Sequence, residues 1–242
     1  MASHTGGYRY AHGAIIRADT TEPNISLVFT GHEFGEGASF IQQALKQQNI
    51  KASFFFTGDF YRNKNFTAIT RQLKKDGHYM GAHSDKHLLY ADWNKRDSLL
   101  VSKKTFTTDL LQNYKEMAKF GIHQKDAAFF MPPYEWYNDS IAAWTKAQGL
   151  QLINFSPGTR SNADYTHPQE KNYQSSNSIY ISIMQYEQSR PAGLNGFILL
   201  MHMGTDPRRT DKFYHQLPQL ISSLKQKGYR FKKINELLQP AP

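Results

Sequence analysis

The 242-residue chain contains no cysteine, which excludes disulfides, thiol nucleophiles and thiolate metal sites together. Any transition-metal site must therefore draw on histidine and carboxylates. No apolar run approaches the ~18 residues of a membrane-spanning helix, so no membrane insertion is expected. Nor does a basic-then-apolar segment of signal type open the chain. No linker rich in proline, glycine or serine divides it, and no internal repeat is visible. The expected organisation is a peripheral N-terminal segment over 1–24 and a single barrel domain over 25–242.

Blocks of like charge are also missing. The chain carries 29 basic and 20 acidic residues, a formal net charge of +9. That excess would suit an anionic polymer, but Lys103-Lys104 and Lys232-Lys233 are only short runs, and the rest is scattered. A solvated basic surface is the reading, with no nucleic-acid partner expected. A hydrophobic content of 39% with 20% charged residues is that of a folded globular chain. Oligomeric state leaves no mark in the sequence.

What is present is one pattern from end to end. Apolar, strand-like runs recur at 25–30, 52–56, 79–83, 127–131, 150–155, 197–202 and 229–234. Amphipathic segments lie between them at 38–48, 67–75, 106–119, 140–148 and 213–227. Several of these end in glycine, at Gly77, Gly121, Gly149 and Gly228, where a left-handed residue stops a helix. Strands alternating with helices predict parallel pairing and right-handed crossovers. Seven strands favour a closed or nearly closed α/β barrel over a small open sheet. Residues 157–177, polar and turn-rich, read as a long surface loop.

In a parallel barrel, chemistry gathers where the strands end. The first strand ends in Thr30-Gly31-His32-Glu33 and the third in His83-Ser84-Asp85-Lys86-His87. The fourth runs into Met131-Pro132-Pro133-Tyr134, and the sixth into Leu200-Met201-His202. Four of the ten histidines therefore fall at one rim beside a carboxylate. His83 and His87 are spaced so that a turn or tight loop aims both rings at one ion, and a neighbouring carboxylate would complete a site open to water. Taken singly, each signal has a bland reading. A lone His-x-x-x-His arises often on surface helices, His202 could be a core histidine, and Glu33 could simply cap a helix.

At these residues the sequence resembles carbohydrate esterase family four, the polysaccharide deacetylases related to nodulation-factor deacetylase. The resemblance spans roughly 25–238. His83-Ser84-x-x-His87 is similar to the family's metal motif. Pro132-Pro133-Tyr134 resembles an Arg-x-Pro-Tyr motif whose tyrosine amide helps hold the oxyanion, and Leu200-Met201-His202 a Leu-x-His motif whose histidine protonates the leaving group. The resemblance implies a distorted barrel of about seven parallel strands that hydrolyses acetyl amides or esters on sugars. It also implies a divalent metal, with zinc as the expected ion, held by Glu33, His83 and His87, and a secreted or periplasmic location. Catalytic roles fall to His32, His202 and Tyr134.

Two departures stand out. His32-Glu33 replaces the family's Asp-Asp, so an imidazole occupies the place of the base, and Met131 replaces the arginine that serves it. Arg160 offers a substitute positive charge. Asp164 is the nearest candidate for the fourth motif. Pro133, Trp136, Tyr137 and Arg160 are the expected substrate-binding residues, since aromatic faces beside a polar cleft suit sugar rings. The partner implied is an acetylated polysaccharide or oligosaccharide. A degenerate relative that binds glycan without turnover is the alternative, and another metal-dependent barrel hydrolase stands behind it.

Overall fold

Alternation within each strand explains the architecture, because successive side chains of a strand point to opposite faces of the sheet. In the computed structural model, which describes residues 4–5 and 7–239, the strands are β1 (His4–Thr5), β2 (Tyr8–Ala11), β3 (Ala14–Arg17), β4 (Asn24–Gly31), β5 (Ser53–Phe56), β6 (Tyr79–Ala82), β7 (Phe129–Phe130), β8 (Gln151–Leu152), β9 (Phe197–His202) and β10 (Arg230–Phe231). The helices are α1 (Ala38–Gln47), α2 (Gly58–Arg62), α3 (Thr67–Lys75), α4 (Lys103–Ala118), α5 (Asp139–Ala147), α6 (Ser176–Ser189), α7 (Leu217–Gln226) and α8 (Ile234–Leu237). Leu27 and Phe29 of β4, Phe54 and Phe56 of β5, and Leu199 and Met201 of β9 pack with Ile41, Leu110 and Leu220 of the helices. The intervening Val28, Phe55, Ile198 and Leu200 form a second, inner cluster. Strands with apolar residues on both faces belong between a helical layer and a filled barrel interior, which is where these lie.

All pairings among β4 to β10 are parallel. β4 is central. Its Ile25 pairs with both Phe231 and Phe197, and its Val28 with both Ser53 and Leu200. From β4 the sheet continues through β5, β6 and β7 to β8. The glycines that end the helices take positive φ, for example 81° at Gly77 and 90° at Gly228, as a helix stop requires.

The seam between β8 and β9 is filled from an unexpected quarter. β3 belongs to a three-stranded antiparallel sheet with β1 and β2, yet Ile15 also bridges Ile153 in parallel. The Asn154 amide donates to the Ile15 carbonyl at 2.9 Å, and the Ala18 amide to the Gly196 carbonyl at 2.8 Å. The expectation of a peripheral segment over 1–24 is thus corrected for 14–18, where Ala14, Ile15 and Ala18 are buried. Residues 1–3 and 6 of that segment lie outside the described residues. A second correction concerns 157–177. This stretch is not a surface loop throughout, because Ser161, Ala163, Asp164 and Thr166 are buried, and a 3-10 turn over Ser161–Tyr165 packs against β9.

Candidate active site

The loops that follow β4, β6 and β9 open into a cleft of about 580 Å³, whose lining includes His32, His83, His87, Tyr134, Glu135 and His202. Parallel register delivers two of these together. Thr30 and His202 are Cα partners across β4 and β9, so the residues after Thr30 emerge beside His202. His83 follows β6 directly.

Each ring is held by a defined partner. His83 Nδ1 lies 2.8 Å from the Met131 carbonyl oxygen. A carbonyl only accepts, so Nδ1 carries the proton and the Nε2 lone pair is left free. The His83 amide in turn donates to Asn113 Oδ1 at 2.9 Å. Burial depresses the His83 pKa to about 3 and that of His87 to about 2, with neighbouring imidazoles adding to both. Burial lowers the His32 pKa as well. His32 and His87 stack at 4.5 Å between ring centroids, only 8° from parallel, and His83 meets His87 edge-on at 5.2 Å. His32 Nδ1 lies 3.1 Å from Thr57 Oγ1, the hydroxyl that caps α2 by accepting from the Phe60 amide. Three imidazoles are therefore neutral near pH 7, with lone pairs available to a proton or an ion.

His202 is tuned the other way. Burial alone would lower its pKa, but the charge and hydrogen bond of Asp164, with Glu135 further off, raise it. Asp164 grips it twice, accepting from the ring Nδ1 at 2.6 Å and from the backbone amide at 2.9 Å. That leaves Nε2 as the nitrogen available for proton transfer. Burial lifts the Glu135 carboxyl to about 7, countered in part by His202.

The 83–87 loop is anchored from beneath. Asp109 of α4 accepts from Ser84 Oγ at 2.5 Å, from the amides of Asp85 and Lys86 at 3.1 and 3.0 Å, and from Tyr90 at 3.0 Å. Asp85 pairs with Arg62 at 2.7 Å, and only glycine fits beside it, since a Cβ on Gly58 would fall 1.8 Å from Asp85 Oδ1. Ser84, His87, Tyr134 and Glu135 all take positive φ, at 74°, 55°, 58° and 53°. Non-glycine residues in that region cost roughly 1–3 kcal/mol each and gather where function imposes the geometry.

His32, His83, His87, Tyr134, Trp136 and His202 thus meet at one cleft, with Glu33 exposed at its rim. The expected metal set does not assemble in full. Among the described residues no three His, Asp or Glu side chains converge to hold a metal ion. Buried His83 and half-buried His87, both neutral, fit a nitrogen-seeking ion in kind, whereas Glu33 is not drawn in to complete the set. The substrate-binding expectations fare unevenly. Tyr137 is buried in the core with its hydroxyl donating to the Ala11 carbonyl at 3.0 Å, so it turns inward and away from the cleft. Pro133 is buried as the first residue of a 3-10 turn. Arg160 is exposed, is not among the cleft residues, and precedes the turn that carries Asp164. Trp136 stays at the cleft, its Nε1 donating to the Asp92 carbonyl at 3.2 Å, with the Arg96 guanidinium 3.5 Å over its ring. Trp93, beside it at 5.3 Å, is 52% exposed. Asp109, Thr57 and Glu135 escaped the sequence reading. For Asp109 a signal existed, because it falls on the apolar stripe of its helix at the spacing of Phe106, Leu110 and Asn113.

The polysaccharide deacetylase family model matches residues 18–153. A peptidoglycan-N-acetylglucosamine deacetylase of Bacillus cereus is 28% identical over 195 residues, 81% of this chain and 78% of its own. PdaA of Bacillus subtilis, a family 4 carbohydrate esterase, superposes with a TM-score of 0.71 at 20% identity, over 98% of this chain and 94% of that one. A CE4 family pseudoenzyme from Bacillus anthracis gives a TM-score of 0.72 at 17% identity, over 96% of this chain and 70% of its own. At such identities the two superpositions speak for the fold.

Proposed function

The chain belongs to the polysaccharide deacetylase family, and from that premise we propose that it hydrolyses acetyl groups, N- or O-linked, from a polysaccharide or oligosaccharide. The observation that carries the reading is the opposed tuning of two imidazole sets at one cleft. His32, His83 and His87 are held neutral, and His202 is held towards its protonated form by Asp164. Groups pushed apart in this way suit opposite halves of an acid–base cycle.

In this proposal His32 accepts the proton of the attacking water, taking the part a carboxylate base plays elsewhere. Tyr134 places its backbone amide towards the developing oxyanion, a preorganised donor worth ~3 kcal/mol. His202 then delivers the Nε2 proton to the departing sugar nitrogen or oxygen while Asp164 steadies the imidazolium. Trp93 and Trp136 offer faces to the sugar rings. A divalent ion such as zinc, held by His83 and His87, would supply carbonyl polarisation and acidified water. Secretion or a periplasmic location belongs to the same proposal, because acetylated polysaccharides lie outside the cytoplasm. No described helix is long and apolar enough to cross a membrane.

The test is acetate release from acetylated chitooligosaccharides, xylan and peptidoglycan fragments, with and without added zinc, alongside zinc titration calorimetry. Zinc-dependent release that is lost in His83→Ala is the expected result. Glu33→Gln should leave zinc affinity within a few-fold, in keeping with its exposed position. Saccharide binding without release from any substrate would sink the hydrolase reading and leave a glycan-binding protein in its place.

A further inference from the structure

On β2 and β3, Arg9 and Arg17 are Cα partners directly across an antiparallel pair. Like charges in that position repel and destabilise the pairing. Arg17 is also only 5% exposed. Its guanidinium donates to the carbonyls of Asn195 at 2.9 Å and Gly193 at 2.8 Å and to the Tyr186 hydroxyl at 3.2 Å. All three acceptors are neutral. Among the described residues no carboxylate lies within ion-pair distance of Arg9, Arg17 or Arg190. A buried cation without a counter-charge is costly, and Arg17 is such a cation, with half-buried Arg9 and exposed Arg190 beside it.

These three arginines line one cavity of about 520 Å³, completed by Tyr186, Pro157 and Gly158 among others. It shares no lining residue with the histidine cleft. Arg190 stands 5.6 Å from the Tyr186 ring centroid, so charge and apolar surface face the same space. We propose that this cavity binds an oxyanion, a phosphate or a carboxylate, carried on a body about the size of a sugar. Guanidinium forks match planar and tetrahedral oxyanions alike, and the volume lies within the range of small-molecule sites. The tyrosine and proline surfaces take the apolar face of such a ligand. Its charge supplies the neutralisation that the Arg9–Arg17 pair lacks within the protein.

The test is thermal denaturation at constant ionic strength with inorganic phosphate, sodium glucuronate, or glucose as the uncharged control. Wild-type protein should show a saturable rise with an anion, roughly 5–10 °C at a hundredfold excess over Kd for a domain of this size, and none with glucose. A response to phosphate alone assigns a phosphoryl ligand, and a response to glucuronate alone assigns a carboxylate. The double variant Arg9→Gln/Arg190→Gln keeps the hydrogen-bonded Arg17 in place. It should lose the response while its midpoint without anion stays level or rises, because the cross-strand repulsion is gone. No saturable rise in the wild type, or the same rise in the double variant, would overturn the proposal. So would a lower anion-free midpoint in the variant, which would make these arginines structural.

Discussion

At the scale of single residues, the chemistry of the cleft rests on who faces each imidazole. Asp164 raises the His202 pKa, so His202 keeps its proton to higher pH and loses it as pH rises through that raised value. Asp164→Asn removes the charge and keeps the shape. The basic limb of the kcat/KM profile should then move to lower pH, with a loss of roughly 10²-fold above neutrality. An unmoved limb would separate His202 from the proton transfer. His83 and His87 act in the opposite sense. Their folded pKa values, about 3 and about 2, lie below the ~6.5 of an exposed histidine. Between those limits the unfolded chain binds protons that the folded chain refuses, so stability falls as pH drops below ~6.5. The melting temperature of metal-free protein should therefore decline from pH 7 to pH 4, and His87→Gln should flatten that decline. An identical slope in the variant would count against the depressed value.

Among secondary elements, the 83–87 loop owes its shape to α2 and α4 below it. Gly58→Ala at the start of α2 would drive a Cβ against Asp85 and disturb its pairing with Arg62. Overpacking of this kind costs roughly 1–3 kcal/mol, read as a shift in the urea midpoint, and activity should fall further than stability alone explains. A neutral outcome would show that the loop tolerates displacement. The same scale shows what a sequence discloses. Buried parallel strands are continuous apolar runs, so β4, β5, β6 and β9 are legible in the sequence, together with the histidines that end β4, β6 and β9. α6 carries little helical signal in the sequence, since Ser176–Ser189 is rich in serine, tyrosine and isoleucine, and only Ile179 and Ile183 are buried apolar positions along it. Side-chain direction was illegible for a different reason. Tyr137 and Trp136 are neighbours in the same aromatic run, and only the tertiary partner, the Ala11 carbonyl in one case and the Asp92 carbonyl in the other, decides which faces the cleft. Likewise, no spacing rule reveals that Glu33 remains at the rim while His32 stacks inside.

For the molecule as a whole, β3 fills the gap between β8 and β9 in the curled sheet. Ile15 is 4% exposed and sits in the inner cluster with Val28, Ile153 and Ile198. Ile15→Ala should cost ~2–5 kcal/mol in guanidinium denaturation; a truly peripheral residue would cost under ~0.5 kcal/mol. The position of this strand also has a consequence in time. β3 lies early in the chain, yet its slot is walled by Ile153 on one side and Gly196 on the other, residues the ribosome adds long afterwards. Until both have emerged, the strand has no place to go. The order of synthesis and the order of assembly therefore run in opposite directions here: an early stave waits for the later ones, and its apolar residues stay exposed to other chains in the meantime.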